Sequence, residues 1–256
     1  MELNDKELIA VKDLIYRMAD DELILGHRNS EWTGLGPILE EDIAFSSMAQ
    51  DKIGHAQALY EILHKFGEAD TDTIAFTRRE KDFKCCHFVE YPIGEYDFSL
   101  MRHFLFDTAE AIRYDMLTYS SFEPVANVAK KFRGEIKYHT MHADIWIEQL
   151  GNSNEESRLR LQTVLNECFP LALGIFELSE FEDVLIEGNF FPGEKILQEQ
   201  WLEKIRPILE KASLKMPDVN SAKPSYGGRK GSHPDYLKPL LDEMTEVYCI
   251  DPDAEW

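Results

Sequence analysis

Residues 40–57 read EEDIAFSSMAQDKIGHAQ, and ionisable residues alternate in them with apolar ones. The apolar residues recur at spacings of three and four, which predicts a helix from about 39 to 65 that stops before Gly67. Asp51 and His55 are four residues apart on this stripe, so both should face the neighbouring helices. A carboxylate and an imidazole on an inner helix face raise the question of a metal site. The apolar members of the stripe are Ala44, Met48, Ala58 and Ile62.

Helical periodicity continues over most of the chain, and no segment is dominated by strand patterns. A long irregular segment at 66–96 implies a crossover between the second and third helices. Four long helices with one such connection are typical of a ferritin-like bundle. We therefore predict one all-α domain over 1–256, with the bundle at about 5–150 and further helices at about 154–247. The predicted helices cover about 5–28, 39–65, 97–120, 125–150 (after Pro124 in a turn), 154 onward with a break at Pro170, 194–211 and 234–247.

The composition is that of a soluble globular protein, with 44% hydrophobic and 29% charged residues in a chain of 256. The N-terminal segment MELNDKELIA has no apolar run, so we expect no secretory signal, and no stretch is apolar enough to span a membrane. A net charge of −21 argues against binding to nucleic acid or anionic lipid. The cysteines form no CxxC pair, so we expect reduced thiols and a cytoplasmic location. They are Cys85, Cys86, Cys168 and Cys249.

Ferritin-like bundles can hold a di-iron or di-manganese centre on one Glu from each of two helices and a Glu-x-x-His from each of the other two. Three residues after Asp51 stands Gly54, and three after Glu135 stands Tyr138, so neither helix shows the motif. The literal Glu61-x-x-His64 lies on a polar face, and we attribute it to chance. The ligand candidates on predicted core faces are Glu22, Asp51, His55, Asp107, Glu110, Glu135 and His139.

Two interpretations of these candidates remain open on the residues alone. Ligands at a spacing of four could hold two metal ions. The carboxylates could instead form an internal salt-bridge network, because buried carboxylates need cationic or hydrogen-bonding partners. The cations near enough in sequence are Lys52, His55, Arg102, Arg113, Lys137 and His139.

Long stretches of the chain resemble the C subunits of bacterial phenylacetyl-CoA 1,2-epoxidases. They are MADDELILGHRNSEWTGLGPILEEDIAFSSMAQDKIGHAQ at 18–57, TIAFTRREKDF at 73–83, EIKYHTMHADIWIEQLGN at 135–152 and YGGRKGSHPDYLKPLLDEM at 226–244. The resemblance covers almost the whole chain. It implies a multicomponent oxygenase of phenylacetate degradation, whose A subunit holds di-iron and epoxidises phenylacetyl-CoA with O₂ and NADPH-derived electrons.

The resemblance further implies that the C subunit pairs with the A subunit, stabilises it and holds no metal. We accordingly expect a structural, non-catalytic subunit without a cofactor of its own, in which the ligand candidates are vestigial. The expected partners are the A subunit and the other epoxidase components, and a contact between two copies of the chain stays open. The alternative is a di-iron or di-manganese carboxylate oxygenase or oxidase in its own right.

Two surface features are weaker candidates for contacts. The loop SYGGRKGSH at 225–233 combines glycines with Arg229 and Lys230, which would suit a phosphate of coenzyme A or a partner contact, and the alternative is a mobile loop. Trp32, in SEWTGLGP, would suit a protein interface or could fold back on its own bundle.

Overall fold

The computed structural model describes residues 3–251, and within that range the chain is helical and has no strand, as the all-α prediction requires. No helix of this range is both long and apolar enough to cross a membrane. The α-helices are α1 Asp5–Ser30, α2 Leu39–Lys65, α3 Thr71–Phe76, α4 His87–Glu90, α5 Tyr96–Leu117, α6 Glu123–Ser153, α7 Glu155–Leu173, α8 Glu182–Glu187, α9 Glu194–Lys211 and α10 Leu237–Thr245.

Helices α1, α2, α5 and α6 form the four-helix bundle of a ferritin-like fold. Helix α1 packs along α2, α5 packs along α6, and α2 also contacts α6. The crossover from α2 to α5 is long, as predicted, but it is not irregular throughout, because it contains α3, α4 and a 3₁₀ turn. One apolar core joins the bundle to the later helices.

The ends of the first two helices follow from local chemistry. Asn4 caps α1, where its side-chain oxygen accepts the Glu7 backbone N–H at 3.1 Å and its backbone N–H donates to Glu7 Oε2 at 2.8 Å. This reciprocal pair satisfies two donors that a helix start leaves free. Helix α2 ends just before Gly67, whose φ of +94° is a left-handed conformation that glycine adopts without strain.

Two prolines behave differently from the predictions. Pro124 lies in the first turn of α6 and not in the turn before it, because a proline costs little where the backbone N–H has no helical acceptor. Pro170 lies inside α7 and does not end it. Only three helical residues follow Pro170, and the burial of Phe169 and Leu173 holds this last turn in place. The last predicted helix is shorter than expected and covers Leu237–Thr245.

Helices α7 and α9 pack against α5 and α6 on the outside of the bundle. The Trp201 ring is completely buried there, stacks on Phe169 at 5.8 Å between ring centroids and lies 5.1 Å from Phe176. Its indole N–H donates to the Leu105 carbonyl at 2.9 Å. We call this region the apolar seam; its residues are Phe169, Phe176, Leu197, Trp201, Ile205 and Leu209, all buried.

Candidate functional site

The interior of the bundle contains a cluster of ionisable side chains from all four helices. Each lies on the inward face of its helix because the members recur at spacings of three and four within a helix. All are buried. We call this set the charged core, and it consists of Glu22 from α1, Lys52 and His55 from α2, His103, Asp107 and Glu110 from α5, and His139 from α6.

The ammonium group of Lys52 lies at the point where three carboxylates converge. Its Nζ is 2.6 Å from Asp107 Oδ1 and 3.2 Å from both Glu22 Oε2 and Glu110 Oε2. The three N–H bonds of an ammonium group match these three acceptors. The same nitrogen also lies 5.0 Å from the centre of the Phe106 ring. Lys52 is therefore fully paired by carboxylates from two other helices.

Lys52 also accounts for the absence of a Glu-x-x-His motif in α2. It stands three residues before His55, so α2 reads Lys-x-x-His at the position where the metal-binding pattern has Glu-x-x-His. In α6 the buried His139 follows Ile136, which is also buried, by three residues. Both inward histidines are thus present, and both preceding carboxylates are replaced.

The sequence-based expectation that Gly54 and Tyr138 occupy the histidine positions is therefore wrong. Gly54 faces solvent, and Tyr138 is 44% exposed. The inward register is set one residue later, at His55 and His139.

His55 joins the charged core to the edge of the bundle. Its Nδ1 is 3.2 Å from Glu22 Oε1, and its Nε2 is 2.9 Å from Glu135 Oε2. The Glu135 side chain is 46% exposed, so it reaches the histidine from the surface. Phe132 covers one face of the imidazole, with ring centroids 4.1 Å apart. The carboxylates on either side thus engage both ring nitrogens of His55.

A second line of hydrogen bonds runs from Asp107 toward the beginning of α2. His103 Nδ1 bonds Asp107 Oδ2, and His103 Nε2 lies 3.3 Å from His142 Nδ1. His142 Nε2 lies 3.0 Å from Glu41 Oε1, and Tyr96 donates to the other oxygen of Glu41 at 2.5 Å. This line is a continuous polar connection between the bundle centre and the surface where α2 begins.

His139 and Asp51 complete the site on the α6 side. His139 Nε2 lies 3.0 Å from Asp51 Oδ2, and its Nδ1 lies 3.8 Å from Asp107 Oδ1, beyond hydrogen-bond range. Burial alone would lower the pKa of His139, but the carboxylates of Asp107 and Asp51 outweigh burial and raise that pKa. Asp51 itself is partly exposed at the edge of the bundle.

The charges of the core carboxylates are unequal. Burial alone would raise the pKa of Glu22, but Lys52 and His55 outweigh it and hold the pKa at about 2. Lys52 and His103 likewise outweigh burial and lower the pKa of Asp107. The pKa of Glu110 is raised, because burial and the charge of Glu22 outweigh Lys52. The surroundings of Glu22 and Asp107 thus favour their ionised forms, whereas those of Glu110 disfavour ionisation.

These residues do not fit a di-metal centre as they stand. A di-iron or di-manganese pair would need the space among Glu22, Asp107 and Glu110, and the Lys52 ammonium fills that space with its own positive charge. The carboxylates that should precede both histidines are also replaced. The arrangement instead matches the internal salt-bridge alternative, although only part of the expected cation set contributes.

Lys52, His55 and His139 belong to the charged core, whereas the other expected cations do not. Arg113 donates to both carboxylate oxygens of Glu194 on α9, at 2.6 and 3.0 Å. Arg102 donates to the Tyr91 carbonyl at 2.5 Å. Lys137 is exposed on the outer face of α6.

The surface candidates lie apart from this site. Trp32 is buried in its own bundle, where its indole N–H donates to Ser99 Oγ at 2.9 Å. Arg229 is also buried, and its guanidinium donates to Asp21 Oδ2 at 2.7 Å. Both side chains are therefore engaged within the chain, and of these three residues only Lys230 is exposed.

Comparison with known proteins adds what the geometry alone does not supply. The chain is 29% identical over 241 residues to the C subunit of the 1,2-phenylacetyl-CoA epoxidase of Escherichia coli (strain K12), a match that covers 94% of this chain and 96% of the relative. The family model described as phenylacetic acid catabolic protein matches residues 1–256. With its all-α ferritin-like bundle, the chain belongs to the phenylacetic acid catabolic protein family.

Proposed function

We propose that the chain is a structural, non-catalytic subunit of a phenylacetyl-CoA 1,2-epoxidase complex in phenylacetate catabolism. In this role it binds and stabilises the di-iron catalytic A subunit in the cytoplasm, contacts the other components of the complex and carries no di-iron or di-manganese centre of its own. Membership of the family and the similarity to the C subunit of such an epoxidase support the assignment to the complex.

The observation that carries the non-catalytic role is the position of Lys52. Its ammonium group neutralises Glu22 and Asp107 in the place where a metal centre would have to lie. A buried cation with three carboxylate partners is costly to displace, because its removal leaves charges unpaired in a low-dielectric interior. The charged core thus satisfies itself without an ion.

A partner surface is supported by apolar side chains that remain exposed on two adjacent helices. Leu39 and Ile43 are exposed at a spacing of four on α2, and three further apolar side chains are exposed on one face of α6. The two helix segments lie together, because Glu41 and His142 are hydrogen-bonded across them. Exposed apolar side chains of this kind are typical of interaction sites. We call this surface the apolar patch; its residues are Leu39, Ile43, Tyr138, Met141 and Ile145.

The first test is the metal content of protein purified without chelator from cells supplied with iron. We expect less than about one-tenth of an equivalent of iron plus manganese, because Lys52 competes for the ligands. About two equivalents would contradict the proposal and favour an oxygenase or oxidase in its own right. That alternative is favoured by one observation, the retention of both inward histidines together with Glu22, Asp107 and Glu110.

A substitution at Lys52 makes the metal-content test more specific. Lys52→Glu rebuilds Glu-x-x-His in α2, so we expect iron or manganese to bind to the variant and to raise its thermal stability. Lys52→Met is the control, since it removes the ammonium group without adding a ligand. Equal metal content in the wild type and in Lys52→Glu would contradict the role assigned to Lys52.

The second test concerns the complex. The chain and the catalytic A subunit should co-elute from a sizing column at micromolar concentration, burying more than about 2,000 Å² as obligate interfaces do. Ile43→Glu and Met141→Glu should separate them, because each places a charge in the apolar patch. Leu159→Glu and Ile186→Glu alter equally exposed apolar residues on α7 and α8 and should leave co-elution unchanged. Separate elution of the wild-type proteins would contradict the proposal.

A further inference from the structure

A second cluster of metal-ligating side chains lies outside the charged core. Cys85 and Glu90 come from the crossover, and His233 comes from the loop before α10. The side chains of all three are buried, and one donor atom from each lies within 4.8 Å of the other two. The cluster joins two segments that are 143 residues apart in the sequence.

The orientation of His233 is the first observation that points to a cation. Its Nε2 lies 3.2 Å from the Phe83 carbonyl, which can only accept, so Nε2 carries the hydrogen. Nδ1 lies 2.8 Å from Glu90 Oε1, and either a proton or a metal ion can join these two atoms. A histidine that donates its other N–H to a carbonyl is the usual arrangement of a metal ligand.

The carboxylate of Glu90 supplies the second observation. Its Oε1 lies 3.6 Å from Cys85 Sγ, while its Oε2 is buried and has no hydrogen-bond partner among the described residues. An unsatisfied buried oxygen destabilises the folded state, because it has lost its hydrogen bonds to water and has formed none within the protein. A cation bound by both oxygens would remove that cost.

The geometry points to a structural zinc site formed by Cys85 Sγ, His233 Nδ1 and both oxygens of Glu90. Sulfur, imidazole nitrogen and carboxylate oxygen are the ligand types that Zn²⁺ prefers, and these atoms supply four donors. Tetrahedral zinc holds sulfur and nitrogen roughly 3.5 Å apart. The sulfur and the nitrogen therefore need to approach each other by about 1.3 Å at most, starting from the 4.8 Å limit, which is within the reach of rotamer adjustment.

The surrounding contacts hold the two segments together before any ion binds. His87, in α4, makes a hydrogen bond to Ser225 Oγ at 2.9 Å and a second to the Ser232 carbonyl at 2.7 Å. A preorganised site loses less conformational entropy on binding. Zinc here would clamp the crossover to the C-terminal loop, and this role is separate from that of the charged core.

The test uses the full-length chain, freed of metal with a chelator and titrated with Zn²⁺ and with Co²⁺ as a spectroscopic probe. We expect one equivalent of zinc, a rise in melting temperature, and a thiolate-to-cobalt charge-transfer absorption with Co²⁺. Cys85→Ser and His233→Gln should weaken binding at least about 100-fold. Cys86→Ser, at the adjacent buried thiol, should retain it.

Two results would overturn the proposal. One is a folded wild-type chain that binds no zinc at tens of micromolar or gives no thiolate absorption with Co²⁺. The other is undiminished zinc binding by folded Cys85→Ser. Should the variants fail to fold, the wild-type cobalt spectrum together with Cys86→Ser decides the question. Iron and manganese bound at Lys52→Glu are measured separately, so either result leaves the test of the charged core intact.

Discussion

Helix α5 borders two interiors of opposite chemistry. On its bundle side, Asp107 and Glu110 meet the Lys52 ammonium inside the charged core. On its outer side, the Leu105 carbonyl accepts the indole N–H of Trp201, and the rest of the apolar seam is hydrocarbon. One helix therefore packs against the charged core on one face and mainly against aromatic and aliphatic side chains on the other, where it also makes the Arg113–Glu194 ion pair with α9.

The difference shows that part of the helix packing in this fold is made without ion pairs. The apolar seam gains its stability from apolar burial together with the Trp201 hydrogen bond, whereas the charged core must offset the desolvation of each charge with a partner. Replacement of buried ion pairs by well-packed apolar residues is often neutral or stabilising. The charged core is thus not a requirement of helix packing, which accords with the proposed vestigial metal site.

The largest effect should come from removing the cation of the charged core. Lys52→Met leaves Glu22 and Asp107 buried without their main partner, so we expect a loss of about 5 kcal/mol in the free energy of unfolding. Urea denaturation monitored by circular dichroism measures it. Lys137→Met, on the exposed face of α6, is the control and should change stability by less than about 0.5 kcal/mol. Similar values for both variants would show that the core carboxylates do not depend on Lys52.

The apolar seam should be nearly as sensitive, for a different reason. Trp201→Ala removes a fully buried ring and leaves a cavity, so we expect a loss of about 4 kcal/mol. Trp201→Phe keeps most of the ring contact but loses the bond to the Leu105 carbonyl, and we expect about 1–2 kcal/mol. Thermal melts of both variants separate packing from hydrogen bonding. Equal losses of stability in the two variants would mean that the hydrogen bond to Leu105, and not the burial of the ring, supplies most of the stabilisation by Trp201.

The two interiors should also differ in their response to acid. The folded-state pKa of Glu22 is about 2, below its ordinary value of 4.5, so its contribution is present above pH 4.5 and is lost as the pH falls toward 2. Glu22→Gln should therefore cost about 3 kcal/mol at pH 7 and progressively less below pH 4.5. Denaturation at several pH values measures this difference. Glu61→Gln, exposed on α2, is the control, and a Glu22→Gln effect that is constant with pH would contradict the assignment.

The smallest expected effect belongs to a charged residue of α6 near α9. Burial raises the pKa of Asp144 to about 6, and its Oδ1 has no hydrogen-bond partner among the described residues. The folded state therefore binds this proton more tightly, and stability falls as the pH rises through about 4 to 6. Asp144→Asn should raise the melting temperature slightly at pH 7 and not at pH 4. A Glu148→Gln control that behaves in the same way would trace the effect to net charge instead.

The helix boundaries show what periodicity can and cannot predict. The predicted ranges 39–65 and 194–211 coincide with α2 and α9, because a long apolar stripe and clear end signals agree in both. The positions of the prolines relative to the helix ends were harder to predict, since Pro124 is compatible with a first helical turn as well as with a turn before it. The short helices α3 and α4 have too few residues to show a period.

Only some residues of the charged core could be predicted from the sequence. Its carboxylates and two of its histidines lie on apolar stripes, so they could be identified as inward-facing. The central role of Lys52 was not seen, because Lys52 is one of several cations that lie near the carboxylates in sequence. The residue three before the inward His55 is Lys52, so the spacing counted back from the histidine indicates Lys-x-x-His. His103 also had a signal, because it stands four residues before Asp107 on the same face of α5.

Clusters that form only through tertiary structure could not be predicted from the sequence. The Cys85, Glu90 and His233 side chains meet only because the crossover and the C-terminal loop pack together, and a spacing of 143 residues follows no local period. The burial of Trp32 and Arg229 has the same origin. Their exposure could not be judged until the elements that cover them were placed.

The contacts of Arg229 have a consequence for the order in which the protein can be completed during its synthesis. Its guanidinium bonds the Asp21 carboxylate and the backbone carbonyls of Arg17, Lys84 and Ile175, so one late side chain joins three earlier parts of the chain. Asp21 precedes Arg229 by 208 residues, so it is synthesised earlier and gains this partner only after those residues have been added. Helix α1 therefore cannot make its hydrogen bonds to this guanidinium until Arg229 has been synthesised.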